Sequence, residues 1–221
     1  MTDPGKGKYA VIGLGSFGST VALELERLGN EVLGVDQNEE AVNAIADRLA
    51  HVVITNVREE RNLQELGLVD YDAVVVAIGE NLESNILCTI ALKQMGVKQV
   101  WVKAVTASHH RVLNKLGADR IIHPEHEMGE YVAQALNYPY VLDYIPLGND
   151  YFVVEIEATE AIAGRTVTDL DLESQYDVRF VALKHGRQPM YEEATGVTLA
   201  EGMRLVLVGP LSGLRRFGRS L

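Results

Sequence analysis

The sequence predicts an α/β protein, a doubly wound parallel sheet followed by a second, smaller α+β lobe. Three observations predict it. Short β-branched runs alternate with helical segments from Tyr9 to Leu136, glycine follows the helical segments at Gly29, Gly67, Gly96 and Gly117, and the rhythm breaks after Asn137. Strands that read as nearly continuous apolar runs, separated by helices, belong to a parallel sheet covered on both faces and joined by right-handed crossovers.

The elements follow in order. "YAVIG" is the first strand and Phe17 to Leu28 its helix; "EVLGVD" precedes Glu39 to Leu49, and "HVVIT" precedes Asn62 to Leu66. "AVVVAIG" leads into Leu82 to Met95, "QVWVKA" into the helix around His110 to Leu116, and "RIIH" into Glu125 to Leu136. Six strands and six helices make a Rossmann-type domain, and the glycines supply left-handed positions just past the helix ends. Prolines, aromatics and a Gly-Asn-Asp turn then interrupt the pattern in "NYPYVLDYIPLGND". The expected division is a nucleotide-binding domain over 1–138, a linker over 139–150 and a small lobe over 151–221. In that lobe "FVVEIEA", "VRFVALKHG" and "MRLVLVG" read as strands and "TVTDLDLESQY" as a turn and short helix. So small a lobe buries little surface by itself, so homo-oligomerisation or packing on the first domain is expected.

The totals exclude several classes. With 221 residues, 47% of them hydrophobic, the chain is folded rather than disordered. Its 31 acidic and 20 basic residues, a net charge of -11, argue against broad electrostatic binding to nucleic acid or to anionic lipid. A single cysteine, Cys88, rules out an intrachain disulfide and fits a reducing compartment, the cytoplasm. The stretch "MTDPGKGKY" has no signal-peptide core, and apolar runs such as Ala73 to Ile78 are far below a membrane span. No lipid insertion is expected, and action at a membrane would need a partner.

Chemistry concentrates at one point. Gly13, Gly15 and Gly18 stand at GxGxxG spacing between the first strand and its helix. Gly13 permits the tight turn, Gly15 lets a diphosphate approach the backbone, and Gly18 lets the helix lie close to the sheet. The amides and dipole of the first helical turn then bind the anion. Asp36 ends the second strand 18 residues after Gly18, near the spacing at which an acid takes ribose hydroxyls. Packing glycines and a turn acid are the plain alternative, but the three features in this order favour an adenosine diphosphate moiety, as in NAD, ADP or ATP. Gly79 and Lys103 end two further strands, at the carboxyl edge where such crevices open. Lys103 reads equally as a point charge for phosphate or as a surface lysine. "HPEHE", His123 to Glu127, holds metal-ligand residue types, yet Pro124, Glu125 and Glu127 also suit a helix start. His109 and His110 read as helix surface and Cys88 as a small buried hydrophobe.

Several longer matches carry a resemblance: "YAVIGLGSFG" at Tyr9 to Gly18, "EVLGVDQNEE" at Glu31 to Glu40, "VVAIG" at Val75 to Gly79, "VWVKA" at Val100 to Ala104, and "LNKLGADRIIHPEHEMG" at Leu113 to Gly129. Over nearly its whole length the chain resembles the cytosolic regulatory subunits of Ktr-type potassium uptake systems, which are built from RCK (regulator of potassium conductance) domains. The resemblance implies a non-catalytic gating subunit with RCK N- and C-lobes. It implies dimers assembling into an octameric ring under a membrane-embedded potassium channel subunit, at the inner face of the membrane, with ATP or ADP in the crevice changing the ring's shape. It also implies that Asp36 holds the ribose, that the Gly13 to Gly18 loop, with Ser16 and Phe17, and Lys103 approach the phosphates, and that Glu125 lies near a dimer axis where Mg2+ or Ca2+ joins the nucleotide. Gly79 is read from its own position as serving chain geometry and close ligand approach.

Two departures stand out. The family often has Arg where this chain has Ser16, aimed at a neighbour's terminal phosphate, and a small residue and Thr where "NVREE" follows Asn56. Arg58 is then a candidate for the missing charge. In the C-lobe, which binds cyclic di-AMP in some members, an Arg is replaced near Glu173, and that ligand is not predicted here. The rival classes are an NAD-dependent oxidoreductase and an NAD(H)-binding redox-sensing regulator. Against the first, no tyrosine is followed by Lys at the fourth position and no proton-transfer pair stands out.

Overall fold

The computed structural model describes residues 6–138, 141–185 and 194–221. Its first sheet is built from β1 (Lys8–Ile12), β2 (Glu31–Asp36), β3 (His51–Ile54), β4 (Ala73–Val76), β5 (Val100–Lys103) and β6 (Arg120–Ile122), in the order β3-β2-β1-β4-β5-β6 with every pair parallel. Between them run α1 (Ser16–Arg27), α2 (Glu39–Asn43), α3 (Glu60–Glu65), α4 (Leu82–Met95) and α5 (Ala107–Lys115), and α6 (Pro124–Asn137) follows β6. The predicted doubly wound fold is therefore observed, with the reversal of strand order between β1 and β4.

The alternation of side chains explains the apolar strands. Ala10 and Ile12 of β1, Leu33 and Val35 of β2, and Val74 and Val76 of β4 pack in one core, under α4 residues Cys88, Ala91 and Leu92. Val11, Val32 and Val75, each the neighbour of these in sequence, pack in a second core with Ala22 of α1 and Val42 of α2. Successive residues point to opposite faces, so a strand covered on both faces must be apolar throughout.

Local signals set the helix ends. Asn38, Asn81 and Thr106 cap α2, α4 and α5 by accepting from the backbone N–H of Glu40, Ser84 and His109. Beyond Asn43 the expected helix to Leu49 gives way to turns: Ile45 N–H donates to the Val42 carbonyl, three residues back. Asn43 and Asp47 are weak helix formers, whereas Ile45 and Leu49 keep their core contacts in a run of turns, with Leu49 N–H donating to the Ile45 carbonyl.

The second sheet is antiparallel, ordered β7-β8-β10-β9 from β7 (Val141–Gly148), β8 (Tyr151–Glu157), β9 (Arg179–His185) and β10 (Met203–Pro210), with helices α7 (Leu172–Tyr176) and α8 (Leu211–Gly218). Val154, Ile156, Leu183, Leu205, Leu207 and Phe217 form its core. The linker expected over 139–150 is corrected here. Val141–Gly148 is a strand paired with β8, and Asn149 and Asp150, at φ 52 and 64, close the hairpin. Both central residues take the left-handed conformation of a type I′ turn, to which Asn and Asp are suited. Pro146 hid the strand because proline interrupts a ladder, but β7 is an edge strand, where it is tolerated. Contacts divide the chain between Glu127 and Met128, inside α6, rather than at 138. Linker residues 139 and 140, residues 1–5 of the first domain, and Gly186 of "VRFVALKHG" lie outside the described residues.

Leu92 has no exposed surface and sits among the α4 contacts of the first core. Leu92→Ala is expected to lower unfolding free energy by about 2–5 kcal/mol in urea denaturation, without changing the fold.

Candidate nucleotide site

The carboxyl ends of β1, β2, β4 and β5 bring the predicted residues together. At the end of β1, Gly13 takes φ +94 and its N–H donates to the Val35 carbonyl at 2.8 Å. A Cβ on Gly18 would overlap the Gly13 carbonyl oxygen and press on Ala77, so only glycine lets α1 start against the strand. Gly15 is different. A Cβ there would meet nothing within 4 Å, so the loop is open on the side from which a phosphate would approach. No side chain caps α1, unlike α2, α4 and α5, and no acid stands in its first turn. The first-turn amides of Ser16, Phe17 and Gly18 keep their positive potential for an anion.

Asp36 faces this loop. Its Oδ2 accepts from Leu14 N–H at 2.6 Å and its Oδ1 from Asn38 N–H at 2.8 Å. The carboxylate thus ties β2 to the glycine turn, while each oxygen keeps a lone pair for a sugar hydroxyl. Beside it, Thr55 N–H donates to the Asp36 carbonyl, and Asn56 Oδ1 accepts from Arg58 N–H at 3.1 Å, folding the β3–α3 turn. The Arg58 guanidinium pairs with Glu83 on α4 at 2.9 Å, both ends largely exposed.

Lys103 is not the surface lysine it could have been. It is only 9% exposed, and its Nζ lies 2.5 Å from Glu125 Oε1 and 5.8 Å from the centre of the Phe17 ring. A Cβ on Gly79 would stand 3.2 Å from the same Nζ. One ammonium is therefore bonded to the start of α6 and stands close to the start of α1 and to the turn after β4. The hydrogen bond from Lys103 holds the Glu125 carboxyl below its ordinary value, against a smaller opposing effect of desolvation.

Asn85 was not singled out in the sequence. It is fully buried in α4, and its Nδ2 donates to the carbonyls of Ile78 at 2.7 Å and Lys103 at 3.1 Å, joining the ends of β4 and β5. Its Oδ1 has no protein partner. The available signal was an amide inside the apolar stretch "SNILCTIAL". The histidines also need correction. His109 is buried, its Nδ1 3.4 Å from Val105 N–H, and burial lowers its pKa, helped by the nearby His123. His110 is half-buried against His123 rather than on open helix surface. Cys88 is buried as expected.

Among the described residues no group of three His, Cys, Asp or Glu side chains is arranged to hold a metal ion, and no helix is long and apolar enough to cross a membrane. An apolar pocket in the second unit, lined by Tyr138, Tyr144, Phe152 and Phe217 among others, has Gln134 and Arg215 as its polar side chains besides tyrosines.

Two outcomes are expected. Asn85→Leu should cost about 1–3 kcal/mol in urea denaturation, because carbonyls at the ends of β4 and β5 lose their donor. Burial pushes the Cys88 thiol up to about 12, so iodoacetamide at pH 8 should leave the folded protein unmodified and label it only in denaturant.

Comparison with known proteins places these features. The TrkA-N domain model matches residues 9–124 and the TrkA-C domain model residues 151–221. Ktr system potassium uptake protein A of Bacillus subtilis (strain 168) is 42% identical over 210 residues, 95% of each chain. Its namesake from Vibrio alginolyticus is 38% identical over 217 residues, 98% of this chain and 99% of that one. The GsuK RCK domain superposes with a TM-score of 0.67 at 16% identity, over 99% of this chain and 48% of that one. The GsuK channel bound to NAD gives 0.65 at 16%, over 97% and 39%. These last two likenesses bear on the fold, whereas the identities run along both lobes. With its glycine loop and Asp36 inside the first matched domain and its small antiparallel lobe inside the second, the chain belongs to the TrkA-N/TrkA-C family of potassium uptake proteins that includes Ktr system potassium uptake protein A.

Proposed function

We propose that this chain is a regulatory subunit of a potassium uptake system, non-catalytic, whose conformation responds to ATP or ADP in the β1/β4 crevice. The observation that carries the reading is the buried Lys103 held by Glu125 beside an uncapped, acid-free helix N-terminus. Asp36 would hold the ribose, the Gly13 to Gly18 loop with Ser16 and Phe17 the diphosphate, and Gly79 would leave room beside it. Asn56 and Arg58 line the neighbouring turn. Arg58 would exchange Glu83 for the terminal phosphate of ATP.

Lys103 supplies the switch in this reading. Without a nucleotide, Glu125 neutralises it. With phosphate charge in the crevice, Lys103 has a second anionic partner, and Glu125 at the start of α6 is released to join Mg2+ or Ca2+. An equilibrium moved from 1:99 to 99:1 needs about 5.5 kcal/mol of differential affinity, which several sites in one assembly can supply together. The assembly proposed is an octameric ring of dimers, and the partner a membrane-embedded potassium channel subunit whose Lys/Arg-rich cytoplasmic loops complement a chain of net charge -11. The chain would then work on the cytoplasmic side, held there by that partner. A second reading, an NAD(H)-binding redox-sensing regulator, is favoured by the NAD-bound GsuK channel of the same fold, since Asp36 suits the ribose of either ligand.

Calorimetric and thermal-shift titration with ATP, ADP, NAD and NADH, each with and without Mg2+ or Ca2+, decides between them. ATP and ADP are expected to bind more tightly than the dinucleotides, with about 2.7 kcal/mol of stabilisation per site at 100 times Kd. Asp36→Ala should weaken all four, Arg58→Ala should weaken ATP more than ADP, and Glu125→Gln should remove the cation effect. Tight NAD or NADH with no response to ATP would overturn the gating reading.

Acid provides a further check. Because Lys103 lowers the Glu125 pKa, the pair's contribution is complete above the ordinary value of 4.5 and is lost as pH falls through the lower, folded value. Nucleotide-free wild type should therefore lose stability relative to Glu125→Gln on acidification below about pH 4.5.

A further inference from the structure

The first unit holds a pair of histidines that the nucleotide reading does not use. His110 stands in the first half of α5 and His123 immediately after β6, so a helix and a strand end bring them together across 13 residues of sequence. His110 Nδ1 and His123 Nε2 are 2.8 Å apart, with ring centroids 5.0 Å apart and planes within 13°. At that distance the nitrogens face each other across a single hydrogen, one ring donating and the other accepting. Both rings are half-buried, and backbone fixes both ends: His110 N–H donates to the Thr106 carbonyl at 2.9 Å, and the His123 carbonyl accepts from Glu127 N–H at 2.9 Å.

We propose that His110 and His123 form a binding site for a borderline divalent cation of the Zn2+ or Ni2+ kind, separate from the nucleotide crevice. Neutral imidazole is a ligand of choice for such ions, and a cation would replace the single hydrogen the two rings now share. Zinc–nitrogen distances of about 2.0–2.1 Å at a tetrahedral angle set the two nitrogens about 3.3 Å apart. The rings must therefore separate by about 0.5 Å and also turn out of their present head-to-head alignment until both nitrogens aim at the ion. Two imidazoles supply half of a tetrahedral shell and water completes it, so binding is modest and reversible. Mg2+ and Ca2+, which take oxygen ligands, are not held. His109 is not a ligand in this scheme, its Nδ1 being turned to the Val105 amide. Glu125, two residues beyond His123, remains with Lys103. A cation at this place ties α5 to the junction of β6 and α6, the segment that carries Glu125.

The test uses the full-length chain, free of any polyhistidine tag and stripped by a chelator, titrated calorimetrically with ZnCl2 and then NiCl2. One saturable ion per chain is expected, with Mg2+ giving no competing signal. His110→Gln and His123→Gln should each weaken zinc by more than tenfold, since loss of an outer-shell partner alone costs about 10- to 100-fold. His51→Gln, an exposed histidine at the start of β3, should leave binding unchanged. Equal zinc affinity in wild type and His110→Gln, or no saturable binding, would overturn the site. So would loss of zinc in Glu125→Gln with retention in His110→Gln, which places the ion in the crevice. Zinc-edge X-ray absorption of the wild type needs no variant: two imidazoles per zinc support the assignment, and one or none refutes it.

Discussion

The contact between the start of α1 and the end of β1 governs the first unit. Gly13 turns the chain at positive φ, and Gly18 packs without a side chain against the Gly13 carbonyl. A Cβ on Gly13 would be strained at positive φ and press on the backbone of Ala77 and Ile78, and one on Gly18 would force the helix away from the strand. That displacement would take the first-turn amides of α1 out of the crevice, and with them the Leu14 amide that Asp36 holds. Because β1 is the central strand at which the order reverses, the same contact also sets where β4 ends and where Gly79 and Lys103 stand. Helix packing and the exposure of the first-turn amides of α1 are here consequences of the same two missing side chains.

Charge is arranged around that constraint. A buried ammonium needs a partner, because removal from water is costly for an unpaired ion. Lys103 finds it in Glu125, whose own side chain is 65% exposed and can leave at little cost. The pair is asymmetric: the lysine is fixed by the sheet, and the glutamate sits on the first turn of a helix that runs across the division between the two units. Asn85 supports the arrangement from below. By donating to the Ile78 carbonyl just past β4 and to the Lys103 carbonyl at the end of β5, it holds these two chain segments at a fixed spacing.

The elements of the first sheet were legible because their signals are local. β-Branched runs and glycines beyond helix ends act within a few residues of chain, and the glycine loop with Asp36 is a pattern of spacing. The second lobe was less legible. Pro146 broke an alternation that edge position makes harmless, so a strand was read as a linker, and the hairpin turn at Asn149 and Asp150 was read as a boundary. The helix beyond Asn43 failed because the chain turns there, with Ile45 and Leu49 held by core contacts together with turn hydrogen bonds to the carbonyls of Val42 and Ile45.

The sequence by itself determined the fold class, the succession of strands and helices in the first domain, and the place of the glycine turn, because periodicity and turn chemistry depend on near neighbours. Only the tertiary structure decided what the charged and polar residues do. Lys103 and Glu125 are 22 residues apart, Arg58 and Glu83 are 25, and Asn85 reaches carbonyls on two strands. Whether such a residue is a solvated surface charge or a buried partner depends on which strand ends the sheet places side by side, and that is settled by packing across the whole domain rather than by any local run of sequence.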